Sequence, residues 1–127
     1  MTYTLDRLTA PPDRAAFDAL LTEYWQQILD GLEGLGAGRV MAPGVPVAAF
    51  WEEIGKVLPP VGALVLAKAE DGRLVGCGSL TDIGDGVGEL KRLFVRPEAR
   101  GHNLGRRLVA ARIEIAREMG LTHLRVD

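Results

Sequence analysis

Only one cysteine, Cys77, occurs in these 127 residues, so no internal disulfide can form and nothing signals an oxidising compartment. No apolar run approaches the ~20 residues that a membrane-crossing helix needs. The start, Met1-Thr-Tyr-Thr-Leu-Asp-Arg7, lacks a basic segment followed by an apolar one, so no signal peptide is read and a cytoplasmic location is the default. Strong charge is missing as well. A formal net charge of −2 offers neither a nucleic acid nor a membrane surface an electrostatic partner. Internal repeats and low-complexity tracts are absent, and no metal site is expected.

What is present suits a globular chain: 47% apolar and 25% charged residues in a length that makes one domain, 1–127. Cys77 sits between Gly76 and Gly78 in an apolar strand pattern with no neighbouring His, which reads as a small buried hydrophobe rather than a nucleophile.

In chain order, Thr2 to Leu8 alternates weakly, as a short edge strand does. Pro11-Pro12-Asp13 predicts a helix start, and Phe17, Leu20, Leu21, Tyr24, Trp25, Ile28 and Leu32 keep helical spacing until the glycines at 31 and 34. Residues 33–44, rich in glycine, form a flexible connection. A second helix is expected from about Val47 to Leu58, before Pro59-Pro60. The aromatic residues Tyr24, Trp25, Phe50 and Trp51 read as core rather than as an acceptor pocket. The period then changes: strands at 63–69, 74–80 and 88–96 are joined by turns at 70–73 and 82–87, an antiparallel meander. A helix from about Asn103 to Met119 aligns Leu104, Leu108, Ala111, Ile115 and Met119, and Gly120 follows as a C-terminal cap. Residues 121–127 start a last strand, parallel to its predecessor through a right-handed crossover. Gly84-Asp-Gly-Val-Gly88 imitates a dinucleotide fingerprint but precedes a strand, which rejects that reading.

Chemistry concentrates in Glu89-Leu-Lys-Arg-Leu-Phe-Val-Arg-Pro-Glu-Ala-Arg-Gly-His-Asn-Leu-Gly-Arg-Arg-Leu108. An apolar strand stops at Arg96-Pro97, a turn rich in Arg and Gly follows, and a helix opens. Backbone N–H groups of a first helical turn lack intrahelical acceptors, and the helix dipole is positive there. With Arg100, Arg106 and Arg107 around Gly101 and Gly105, the segment reads as a cradle for an anion such as a diphosphate.

This segment resembles the acetyl-CoA-binding motif of the GNAT superfamily of N-acetyltransferases. Arg100, Asn103 and Gly105 stand at the family's three key positions, with Asn103 replacing a glycine; Asn tolerates left-handed backbone and is also a good N-cap. The order of elements and the phrase Leu93-Phe-Val-Arg-Pro97 agree. The resemblance implies an α/β fold, a mixed central sheet flanked by helices, and transfer of an acetyl group from acetyl-CoA, the cosubstrate, to a primary amine by direct attack. It implies that Leu93, Phe94 and Val95 pair with the pantetheine arm, that the Val95 N–H faces the thioester carbonyl, and that Arg100, Gly101, His102, Asn103, Leu104, Gly105 and Arg106 hold the pyrophosphate. Glu89 is the candidate base; its competing reading is a structural Glu paired with Lys91. Asp127 is a weaker catalytic candidate, His102 a loop residue, and His123 a structural one. The connection at 34–44 is the expected acceptor-side loop.

Relatives of this kind continue past the strand that here reaches Asp127, with a helix, two further strands and often a Tyr that protonates the leaving thiolate; Tyr3 and Tyr24 match neither place nor role. The expectation is a C-terminally truncated fold. Three readings follow: a fragment, a homodimer that completes the open sheet edge, or a reduced, non-catalytic CoA-binding or protein-interaction module.

Overall fold

The computed structural model describes residues 2–36, 38 and 41–126. Five strands form one sheet in the order β1-β2-β3-β4-β5: Tyr3–Arg7, Gly62–Ala69, Leu74–Gly84, Val87–Val95 and His123–Val126. The first four run antiparallel, and β5 lies parallel to β4 after the crossover helix α3, Leu104–Glu118. Helices α1 (Arg14–Gly34) and α2 (Gly44–Glu52) cover the other face.

Sequence chemistry explains these elements. Asp13 accepts from the Ala16 N–H at 2.9 Å, capping α1 where the Pro-Pro-Asp signal placed its start. The hairpin between β3 and β4 turns on Asp85-Gly86, both at positive φ (56° and 77°), as a two-residue turn with the right twist requires. The second helix departs from expectation. It begins at Gly44 and ends at Glu52, and a 3₁₀ turn, Ile54–Val57, carries the chain on to the prolines. Strand β3 also runs on to Gly84, because the hairpin keeps pairing after its residues leave the core.

Strand β2 is apolar on both sides because both sides are covered. Ala63, Val65 and Ala67 meet Leu104, Leu108 and Ile115 of α3, while Leu64 and Leu66 meet Phe17, Leu20 and Leu21 of α1 and Phe50 of α2. Fully burying each Leu or Phe contributes about 1.5–3 kcal/mol, and these two layers supply most of that term. Glycines relieve two close approaches: a Cβ on Gly76 would lie 2.9 Å from the Phe94 carbonyl of β4, and one on Gly78 would lie 2.8 Å from Arg112 Nε of α3. No helix among the described residues is long and apolar enough to cross a membrane.

Candidate active site

Two irregularities in β4 create the site. The first is a splay. β5 pairs with β4 only from Val87 to Leu90, so from Lys91 to Val95 the outer edge of β4 carries no strand among the described residues. The Arg96 N–H donates to Val75 O at 2.8 Å, toward β3. Strand alternation therefore turns the Val95 N–H and C=O outward, and the Val95 carbonyl accepts from Arg100 Nε at 3.0 Å. On the α3 side of the splay, Leu90, Lys91, Leu93, Val109, Arg112 and Val126 line a cavity of about 100 Å³.

The second irregularity is a β-bulge. Cys77 is opposite Phe94 and Ser79 is opposite Lys91, so β4 holds one residue more than β3 across this step. Arg92 absorbs it at φ 56°, left-handed backbone that a long side chain rarely adopts. Arg112, 1% exposed, reaches under the bulge and donates to Ser79 O at 3.0 Å, Lys91 O at 3.4 Å and Leu108 O at 3.1 Å. Burial lowers the pKa of this guanidinium, since no water solvates its charge there. On the opposite side the Cys77 thiol donates to Arg92 O at 3.2 Å, and burial pushes its pKa up to about 12. A thiol that stays protonated is no nucleophile.

Beyond Val95 the expected turn is present. Pro97–Ala99 forms a 3₁₀ turn, Gly101 takes φ 88° and Asn103 φ 60°, and α3 opens at Leu104. The Asn103 side chain makes no capping bond, so it keeps the left-handed shape expected of it but not the N-cap role. The first helical bond is Arg107 N–H to Asn103 O at 2.9 Å, which leaves the N–H groups of Leu104, Gly105 and Arg106 without acceptors inside the helix. A Cβ on Gly105 would meet nothing within 4 Å. Arg106 is exposed beside these donors. His102 packs on the Tyr3 ring at 5.0 Å, and Arg107 bonds the Tyr3 carbonyl. The Arg100 side chain turns back toward α1, donating to Gln27 Oε1 at 2.8 Å above the Phe94 ring.

Glu89 lies on the α1–α2 face of β4 and lines a 140 Å³ cavity with Phe50, Glu53, Lys56, Thr81 and Arg92, among others. Its carboxylate accepts from Arg125 Nε at 3.1 Å and from Arg125 Nη2, and pairs with Lys91 at 3.2 Å. The Arg125 hydrogen bond, with Lys91 assisting, holds its pKa below the usual carboxylate value despite burial. A neighbouring cavity of about 330 Å³ is lined by Tyr24, Trp25, Ile28, Lys91 and Arg92.

Thus the structure gathers Leu93, Phe94, Val95 and the residues 100–106 along one edge and around the helix start, with Glu89 four residues before Leu93 on the same strand. Phe50 is core, whereas Tyr24 and Trp25 are half-buried and line a cavity, a division that helical spacing alone did not predict. His123 is exposed and bonded to Thr122. Asp127 and part of the connection at 34–44 fall outside the described residues. Sequence reasoning offered Lys91 as the partner of Glu89, a pair the structure forms at 3.2 Å, but missed Arg92 and Arg112 as site neighbours. An Arg at positive φ and a cation buried in an amphipathic helix leave no local signal.

Comparison with known proteins agrees with this fold. A model of the Acetyltransferase (GNAT) family matches residues 41–127. An uncharacterized N-acetyltransferase of Schizosaccharomyces pombe is 30% identical over 125 residues, which is 98% of this chain and 71% of that protein. An IAA acetyltransferase of Azospirillum brasilense is 43% identical over 63 residues, 49% of this chain and 41% of that one. In fold, the chain is similar to the PaiA N-acetyltransferase of Thermoplasma acidophilum solved with coenzyme A, at a TM-score of 0.71 and 18% identity, over 97% of this chain and 78% of that chain.

Proposed function

The chain belongs to the GNAT family of acetyltransferases, and from that premise we propose that it moves an acetyl group from acetyl-CoA to a primary amine by direct attack on the thioester. The observation that carries this reading is the coincidence of an unpaired β4 edge with an uncapped helix start. An extended pantetheine arm adds to the edge of Leu93 to Val95 as a strand would, and the pyrophosphate takes the donors of Leu104, Gly105 and Arg106.

In this scheme the outward N–H of Val95 donates to the thioester carbonyl oxygen, and the bond strengthens as that oxygen becomes an oxyanion. Glu89 is held ionised, attracts the acceptor ammonium and receives its proton through water. Its low basicity weakens the driving force for that transfer, so placement contributes more than pKa does. The tetrahedral intermediate then collapses and expels the CoA thiolate, a tolerable leaving group.

The test is calorimetric titration of acetyl-CoA into the wild-type protein and into Gly105→Pro. Proline removes one cradle donor at a first-turn position where helices accept it, and no protein atom lies within 4 Å of the new Cβ. Micromolar binding by the wild type and loss of about tenfold or more in the folded variant are expected, the scale of one charge-assisted hydrogen bond. Equal affinities would remove the pyrophosphate from this turn.

A further inference from the structure

On the α1–α2 side of β4, Arg92 forms no ion pair with a carboxylate among the described residues. Because of the bulge, Lys91 and Arg92 do not alternate across the sheet as neighbours in a regular strand do. Both line the 330 Å³ cavity and both line the 140 Å³ cavity beside it. Lys91 pairs with Glu89. Arg92 lies over the Phe50 ring at 5.1 Å, and no carboxylate among the described residues pairs with it. Arg96, equally half-buried, has Glu23 at 2.7 Å. Arg92 is also held at positive φ, where Gly or Asn would sit without cost. A half-dehydrated guanidinium, its five donors in a fixed fork, takes a carboxylate by two parallel hydrogen bonds.

The surroundings narrow the ligand further. Tyr24, Trp25 and Ile28 wall the larger cavity with apolar surface, and Glu89 lies in the smaller one on the far side of Arg92. We propose that Arg92 binds a carboxylate of the acceptor, so that the substrate class is an amine carrying both an acid group and an aromatic or bulky apolar group. This assignment rests on the acetyl-transfer reading above. With its carboxylate on Arg92 and its side chain against Tyr24 and Trp25, such an acceptor turns its ammonium toward the wall that carries Glu89. Arg92 then sets specificity, and Lys91 keeps the Glu89 carboxylate from competing for it.

L-Phenylalanine and phenethylamine differ only by the carboxylate and serve as probes. Each is titrated by calorimetry into protein saturated with coenzyme A, using the wild type, Arg92→Gln and Arg92→Asn. Asn accepts the left-handed backbone, so this second variant keeps the fold even if Gln does not. The wild type is expected to bind phenylalanine about tenfold more tightly than phenethylamine, and both variants to lose that preference while retaining coenzyme A. Equal affinities in the wild type, silence from both probes with coenzyme A bound, or a preference that survives both substitutions overturns the assignment. Failure of coenzyme A to bind at all overturns the acetyl-transfer reading instead.

Discussion

Arg112→Met and Arg112→Ala together measure what holds the bulge in place. The guanidinium is 1% exposed and supplies Ser79 O with a donor at 3.0 Å. Met keeps most of the apolar stem and removes the donors. Lys91 O retains its bond from Ser79 Oγ at 3.1 Å, so Ser79 O is the acceptor that loses most. An unpaired buried carbonyl costs about 1–3 kcal/mol. Removing a buried cation gives part of that back, because its desolvation penalty disappears. Three carbonyls already replace much of the lost hydration, so the refund is partial and the net loss for Met is about 1–2 kcal/mol. Ala removes three further heavy atoms, Cγ, Sδ and Cε, at ~0.8 kcal/mol each and leaves a cavity, bringing its loss to about 3–5 kcal/mol. Urea unfolding followed by circular dichroism reads both losses, and in a thermal melt the Met variant unfolds about 3–8 °C lower. A Met variant as stable as the wild type would refute the reasoning: the bulge would need no support from beneath, and the buried charge would be a liability.

Glu89 predicts a pH dependence with a definite sign. Its hydrogen bond from Arg125 lowers the folded-state pKa, so the acid limb of kcat/KM should fall below the ordinary Glu value of about 4.3, and Glu89→Gln should abolish that limb with a loss of about 10²-fold or more. The same pairing contributes stability above the unfolded pKa and loses it as pH falls through the lowered folded value, which acid titration of the wild type against Glu89→Gln would show. Gly62→Ala should cost about 3 kcal/mol or more, since the new Cβ would lie 2.2 Å from Lys56 O and 2.3 Å from Leu80 O, backbone atoms that no rotamer change relieves. An unfolding midpoint within error of the wild type would contradict the packing at the start of β2.

Much of this protein is local and therefore written in the chain. Asp13 caps its own helix, Asp85-Gly86 makes its own turn, and the apolar spacing of Leu104, Leu108 and Ile115 orients α3 onto the sheet. The proposed anion cradle belongs to the same category, because Gly101, Asn103, Gly105 and the helix start lie within a few residues of one another. The meander and its parallel last strand follow from short loops and one crossover.

What tertiary structure decided is where distant elements meet. Glu89 pairs with Lys91 on its own strand, but its main partner, Arg125, lies 36 residues away and arrives only on β5. The inner or outer fate of Arg112 depends on Gly78, whose missing Cβ makes room for it. The side of the sheet that Arg92 faces depends on an extra residue in β4 that only pairing with β3 reveals. Periodicity assigns side chains to faces as long as pairing stays regular, and one inserted residue reverses that assignment for everything beyond it. In this chain that reversal falls inside the candidate site, which is why the proposed cradle was legible in the sequence and the side that Arg92 faces was not.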